Sequence, residues 1–329
     1  METFRAFLIR QTDDGLSGAV TELTMDDLPA GTVTIRVRYS SVNYKDALAS
    51  SPAGRVVKAY PIVPGIDLAG TVISSSDPRF KEGDEVLATG YELGTSRFGG
   101  YCEIARVPGE WVVPLPQGLS AKEAMALGTA GFTAALSIHR LEENGLRPGN
   151  GPVLVTGATG GVGSLSVSML AGLGYETTAS TGKSEEHGYL REIGAVNIVS
   201  REELVPETLR PLGKQLWAGA VDSVGGKTLA AALSGMRYGG AVAASGLTGG
   251  DAVPATVYPF ILRGVSLLGI DSVYCAAETR LRIWERLATD LKPARLLARI
   301  SREIPLEEVP GAMQELLNGT HLGRTIVKL

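Results

Sequence analysis

The chain has 329 residues, more than one domain usually holds, so two domains are the default expectation. Hydrophobic residues make up 44% and charged residues 20%, a soluble globular balance with apolar material for more than one core. A net charge of -4 without a basic stripe argues against a nucleic-acid binder, and no apolar run approaches the roughly 20 residues that span a bilayer. Cys102 and Cys275 stand far apart without metal-ligand spacing, which fits a reducing compartment. Met1–Arg10 carries no leader-type apolar stretch and Asp13 and Asp14 follow, so the cytoplasm is the expected location.

The segment before Leu115 reads as β-rich. Thr32–Tyr39 alternates strictly, with Val33, Ile35 and Val37 on one face, and predicts a half-buried strand. Shorter strands are expected at Gly70–Ser74, Asp84–Ala88 and Cys102–Val107, set off by turns such as Glu82-Gly83-Asp84. Such strands suggest a compact, barrel-like β-domain. The period changes near Pro114–Ser120. Ser120 and Glu123 have capping-box spacing and open a helix through Leu127, with a second helical stretch from about Gly131 to Glu143. Strands at Pro152–Thr156, Glu176–Ser180, Asn197–Val199, Gly219–Asp222, Gly240–Ser245 and Val265–Ile270 then alternate with helices from Gly161 and over Glu185–Ile193. That order indicates an α/β, doubly wound parallel sheet. Past Pro293 the tail reads as a strand at Ile300–Ile304, a helix at Val309–Leu317 and a final strand at Thr325–Leu329, which is expected to return to the β-domain.

The strongest local signal is Val153-Leu-Val-Thr-Gly157-Ala-Thr-Gly160-Gly161-Val162-Gly163, an apolar strand running into glycines and then the small-residue helix Ser164–Ala171. Glycines let the backbone turn sharply and a pyrophosphate approach, while the helix start offers unpaired N–H groups and a positive dipole end. Gly160, Gly161 and Val162 are the expected contacts. This loop carries no Gly-Lys-Ser/Thr, which excludes a P-loop. NAD-preferring sites place an acid about 20 residues beyond the fingerprint, and that stretch holds Ser180, Thr181 and Lys183 instead. Hydroxyls and an ammonium suit a 2′-phosphate that a carboxylate would repel, so NADPH is favoured over NADH. Lys183 also reads as a solvated surface lysine.

The segments Ser40–Leu48 with Asn43-Tyr44-Lys45-Asp46, Pro64–Gly70, Gly128–Thr133, the glycine loop, Asp222–Gly226, Pro259–Ser272 and Gly323-Arg324 carry a resemblance over essentially the whole length. The sequence resembles the medium-chain dehydrogenase/reductase superfamily, its zinc-free quinone oxidoreductase branch, and most of all the acryloyl-CoA reductase group. The glycine loop is shared superfamily-wide, whereas Asn43–Asp46 and Ile261–Ser272 are far more specific. The resemblance implies a Rossmann doubly wound parallel sheet plus a GroES-like β-barrel catalytic domain, with boundaries at 1–121, 122–293 and a return over 294–329.

Zinc-dependent members carry Cys and His ligands where this chain, by resemblance, has Asn43 and Ile66. Isoleucine cannot bind a metal and asparagine is a poor zinc ligand, so no metal is expected. His139, His187 and His321 form no spaced cluster. Reduction of a plain carbonyl without a Lewis acid lacks stabilisation of the developing alkoxide, whereas an activated alkene needs less help. The resemblance therefore implies NADPH-dependent reduction of a short 2-enoyl thioester such as acryloyl-CoA. The alternatives are an NADPH:quinone oxidoreductase and, from a different class, a cofactor-binding protein without activity.

By position in the family, Asn43 orients the nicotinamide ribose or substrate, and Thr129 meets that ribose or a phosphate. Tyr44 either donates a proton or hydrogen bond to the acceptor oxygen or packs on the cofactor. Ser223, Ser245, Gly246 and Leu247 follow Rossmann strands, and Leu268, Gly269 and Ile270 line the nicotinamide side. Arg324 either reaches the pyrophosphate or is a salt-bridged structural arginine. Lys45 and Asp46 read as a local ion pair, and Asp67 as an acid or, more simply, a structural carboxylate at a strand end. Arg263, Arg55, Lys58 and Lys45 are candidate cations for CoA phosphates. The implied partners are a small-molecule enoyl-CoA or quinone and a second copy, paired through the edge strand near Val265–Ile270 beside apolar Val257–Leu262.

Overall fold

A two-residue turn at Asp13-Asp14 folds β1 (Thr3–Thr12) back on β2 (Gly15–Thr24) as an antiparallel hairpin, with Thr12 opposite Gly15. The computed structural model describes residues 3–329; Met1 and Glu2, part of the stretch read above for a leader, lie outside them. β1 buries Phe4, Ala6, Phe7, Leu8 and Ile9, and single bridges join Ala6 to Cys102 and Ile9 to Ile62. The hairpin thus contributes to the core beneath the next sheet.

That sheet is built from β3 (Val33–Val42), β4 (Asp67–Ser75), β5 (Glu85–Thr89), β6 (Ile104–Val107) and β7 (Val112–Pro114). β3 runs to Val42 rather than ending at Tyr39. Beyond Tyr39 its alternation stops because Ser40, Ser41 and Val42 are all buried, as in a strand covered on both faces. The helix Ala121–Glu143 follows, broken at Gly128 (φ 53, ψ -156). Ser120 caps it, accepting a bond from the Glu123 N–H at 3.2 Å and donating its own N–H to the Glu123 carboxylate at 2.9 Å.

β8 (Val153–Val155), β9 (Thr177–Thr181), β10 (Asn197–Ser200), β11 (Trp217–Asp222), β12 (Met236–Ala244) and β13 (Ser266–Gly269) form an all-parallel sheet in the order β10-β9-β8-β11-β12-β13. This is the doubly wound Rossmann order, and its switch point lies between β8 and β11, where such sheets bind ligands beyond the carboxyl ends of the strands. Leu154, Ala220, Leu229, Leu233, Met236 and Val242 fill its core. The helix expected over Glu185–Ile193 is a single 3₁₀ turn, Ser184–Glu186, leading into the helix His187–Glu192. Helices at Gly226–Ser234, Tyr258–Arg263 and Ala277–Ala288 had no sequence expectation.

In the tail, β14 (Ser301–Pro305) and β15 (Arg324–Lys328) flank the helix Val309–Leu317. β15 pairs antiparallel with β3, Thr325 opposite Val42, so the last strand completes the first sheet. The chain divides into two units: one takes the chain up to Thr129 with Val273–Leu281 and Ser301–Leu329, the other Ala130–Ser272 with Arg282–Ile300. Among the described residues no helix is long and apolar enough to cross a membrane.

Candidate active site

In the first unit, polar groups converge on Asp67, the opening residue of β4, which is fully buried. Its Oδ2 accepts bonds from the Ser41 hydroxyl (2.6 Å), the Asn43 amide (2.8 Å) and the Thr129 N–H (2.9 Å); Oδ1 accepts the Thr129 hydroxyl (2.5 Å). Arg324 lies 3.8 Å from the same carboxylate and is only 3% exposed. Its Nε donates to the Ala126 carbonyl, Nη1 to the Val42 carbonyl and Asn43 Oδ1, and Nη2 to the Ser41 hydroxyl. Burial lowers the Arg324 pKa from its ordinary value, and the Asp67 and Asp46 charges oppose that shift. Gly128 makes the convergence possible. A Cβ there would overlap Asp67 Oδ2 and stand 2.7 Å from both Arg324 Nη2 and Ser41 Oγ.

Asn43 is therefore held at both ends of its amide, donating to Asp67 and accepting from Arg324. Its backbone N–H donates to Asp46 Oδ2 at 2.9 Å, closing a cap on the short helix Tyr44–Ala49. Asp46 also accepts the N–H groups of Gly65 (3.1 Å) and Ile66 (2.9 Å) and the Tyr101 hydroxyl (3.1 Å). Burial, and then the Asp67 charge, push its pKa up to about 7, against those donors. Its partners are these donors and not Lys45. Tyr44, the next residue after the locked asparagine, is 43% exposed, and among the described residues its hydroxyl has no hydrogen bond.

In the second unit the loop after β8 turns at Gly157 (φ +57) and enters the helix Gly161–Gly172, whose N-terminus at Gly160 has no side-chain cap. A Cβ on Gly163 would overlap the Gly157 carbonyl and stand 2.6 Å from Ala158 Cα, so glycine alone lets helix and loop close together. A Cβ built on Gly160 would meet, among the described residues, the Gly157 oxygen at 3.4 Å, an ordinary contact. An uncapped, glycine-lined helix start suits a dinucleotide pyrophosphate. β9 ends in Ser180 and Thr181, and the Thr181 hydroxyl accepts the Lys183 N–H at 3.0 Å. No acid stands at that strand end, so these residues fit a phosphorylated adenosine ribose better than a plain one.

Asp222, at the end of β11, ties neighbouring loops together. It accepts the Thr156 hydroxyl (2.6 Å) and the Gly225 N–H (2.7 Å), and its carbonyl accepts the Ser245 N–H (2.9 Å). Burial raises its carboxyl pKa. Ser223 donates its hydroxyl to the Thr156 carbonyl at 3.2 Å, and a Cβ on Gly246 would overlap the Ser223 carbonyl. Leu247 is exposed beyond it, and Ile270, just past β13, donates its N–H to the Ala244 carbonyl at 3.1 Å. Leu268 and Gly269 close β13 itself.

Of the expected site residues, Asn43, Tyr44, Thr129 and Arg324 fall in the first unit and the rest in the second. Arg324, expected at a pyrophosphate or in a salt bridge, turns its guanidinium inward on the Asp67 cluster. Among the candidate CoA cations, Lys58 pairs with Glu92 at 2.8 Å, and Arg263 donates to the carbonyls of Ser234, Met236 and Gly213. Arg55 is exposed, in a left-handed conformation. Asp67, expected as an acid or a structural carboxylate at a strand end, is the buried carboxylate around which the cluster is built, whereas Ser41 and the organising role of Asp222 had no sequence expectation. For Asp222 the one signal was a carboxylate at a strand end.

The chain matches the family models of the alcohol dehydrogenase GroES-like domain over residues 29–117 and of the zinc-binding dehydrogenases over 161–288. It is 59% identical over 326 residues to YhfP of Bacillus subtilis, a protein named for quinone oxidoreductase activity, covering 99% of each chain. It is 51% identical to the acrylyl-CoA reductase AcuI of Ruegeria pomeroyi, covering 98% of each. Among solved structures, that of B. subtilis yhfP with NAD bound superposes with a TM-score of 0.98 over 100% of both chains. The yhdH oxidoreductase of Salmonella enterica, in complex with NADP, is 50% identical and superposes with a TM-score of 0.96 over 99% of both.

Proposed function

The chain belongs to the medium-chain dehydrogenase/reductase superfamily, in the zinc-free quinone oxidoreductase branch with the acrylyl-CoA reductases, and we propose that it uses NADPH to reduce the activated C=C bond of a short 2-enoyl thioester such as acryloyl-CoA. It is an oxidoreductase. Full-length identity to AcuI supports the thioester, and the observation that carries the chemistry is Tyr44, whose exposed, unpartnered hydroxyl follows an asparagine locked by Asp67 and Arg324.

NADPH, when bound, supplies the hydride. The N–H groups of Gly161 and Val162 and the helix dipole hold the pyrophosphate, and Ser180, Thr181 and Lys183 hold the 2′-phosphate. Asn43 and Thr129 orient the nicotinamide ribose. As charge moves onto the thioester oxygen, the Tyr44 hydroxyl donates to it and stabilises the developing enolate. A proton from Tyr44 Oη or from water completes the reaction at the α-carbon. An NADPH:quinone oxidoreductase would use the same groups, and the 59% identity to YhfP favours keeping it as the second reading.

NADPH absorbance followed with acryloyl-CoA in one cuvette and a benzoquinone in another separates the two. Rapid thioester turnover, slow quinone turnover and a weaker response to NADH are expected. Quinone turnover with an inert thioester would reverse the order. Tyr44→Phe is expected to lower kcat on acryloyl-CoA about 100-fold while the NADPH dissociation constant stays within about twofold.

We also propose a homodimer through β13. Among the described residues this strand ends its sheet with its outer edge unpaired, Leu267 is 43% exposed, and Val257, Ile261 and Leu262 on the adjoining helical segment are exposed too. An apolar sheet edge of this kind is a site for pairing with another chain. Light scattering is expected to give twice the chain mass, and Ile261→Glu to shift it to monomer; a monomeric wild type would remove the proposal. The cytoplasm suits an NADPH enzyme whose sequence holds only two cysteines.

A further inference from the structure

The end of β9 meets a cation that local sequence gave no reason to expect. β10 lies parallel to β9 with Val199 opposite Ser180 and Ser200 opposite Thr181. Arg201, the next residue, therefore comes level with Gly182. A Cβ built on Gly182 would stand 3.0 Å from Arg201 Nη2 and 3.1 Å from its Cζ, so the absence of a side chain at 182 is what admits the guanidinium. Arg201 is exposed; its carbonyl accepts the Val205 N–H at 2.9 Å, and among the described residues its guanidinium makes no hydrogen bond or ion pair. Of the two acids that follow it, Glu202 is adjacent on the same helical turn and no bond joins it to the guanidinium, and Glu203 accepts the Ser200 N–H at 2.7 Å.

We propose that Arg201 determines cofactor choice by binding the 2′-phosphate of NADPH, as the second cation of a subsite completed by Ser180, Thr181 and Lys183. The inference rests on the reading of NADPH as cofactor and adds a residue to it. A guanidinium offers several donors in a fixed fork to phosphate oxygens, and it stays charged at all working pH values. An exposed arginine left without a carboxylate partner, resting on a glycine beside two hydroxyl residues, is arranged for an anion from solution. The adenosine ribose of a Rossmann-bound dinucleotide sits at the end of the second strand in order of appearance, which here is β9.

Titration calorimetry with NADPH, NADH, adenosine 2′,5′-bisphosphate and 5′-AMP tests this on wild type, Arg201→Ala and Arg201→Lys. Arg201→Ala should weaken NADPH and the bisphosphate about 10- to 100-fold and leave NADH and AMP within about twofold. Arg201→Lys should recover part of the loss, since a point charge replaces the fork. If wild type prefers NADPH and Arg201→Ala keeps that preference, the role of Arg201 is wrong while the NADPH reading stands. If wild type binds NADPH and NADH equally, both fall. An equal loss of all four ligands marks general damage and also overturns the proposal.

Discussion

Asp67→Ala is expected to remove turnover and to lower the melting temperature by roughly 10 °C. The carboxylate accepts four hydrogen bonds and faces a guanidinium that is almost wholly buried. Removing one partner of a buried ion pair leaves the other charged and poorly compensated, at a cost of about 3–5 kcal/mol. In domains of moderate size each kcal/mol shifts the melting temperature by roughly 2–4 °C. Asn43 would lose the acceptor of its amide, and Thr129 the acceptor of both its N–H and its hydroxyl. Asp67→Asn keeps the shape but turns one acceptor into a donor that faces other donors, so its stability loss is expected to be smaller and its activity loss at least about tenfold. Calorimetric melting and thioester turnover, measured together, check both variants. Binding of adenosine 2′,5′-bisphosphate should survive, because the subsite proposed for it lies in the other unit. A melting temperature within about 2 °C of wild type for Asp67→Ala would mean that the cluster is not held by the carboxylate.

The fold was most legible where its determinants are local. β3 announces itself through Val33, Ile35 and Val37, and the tail helix Val309–Leu317 was bounded correctly. The end of β3 was not legible, because Ser40–Val42 become strand through pairing with β15, almost the full chain length away. β2 has few buried residues and hence little pattern to read, so the hairpin went unseen. The helix Gly226–Ser234 is buried along most of its circumference and alanine-rich, which leaves no polar face to set the period.

The same distinction runs through the site. The strand, the glycines and the helix around Gly157–Gly163 follow one another directly, so that strand–loop–helix unit could be read from sequence. The Asp67 cluster draws on β3, β4, the Gly128 break and β15, and nothing near Asp67 separates it from an ordinary strand-end carboxylate. Arg201 is further hidden, since it meets Gly182 only through the β9–β10 register. Carboxylates and arginines at strand ends acquire their roles from strands adjacent in space, whereas glycine loops carry theirs with them.

Two single-methyl substitutions in the phosphate loop should therefore fail in opposite ways. In Gly163→Ala the new Cβ meets backbone, the Gly157 carbonyl and Ala158 Cα, and no rotamer change relieves that. The helix must move off the loop, at a cost of about 1–3 kcal/mol or more, so the free protein should melt at a lower temperature and NADPH should bind poorly. Gly160→Ala places its Cβ in nearly open space at a φ of -79, which alanine adopts readily. The free protein should melt within about 2 °C of wild type, or slightly higher, because alanine restricts the unfolded chain. Yet the open space is where we propose that the pyrophosphate comes close. Losing two charge-assisted backbone bonds there predicts NADPH affinity down about 100-fold. Melting with and without NADPH separates the cases, since Gly160→Ala should lose only the cofactor-induced rise. If Gly160→Ala keeps NADPH affinity within about threefold, the loop is a tight strand–helix turn and the phosphates are held elsewhere.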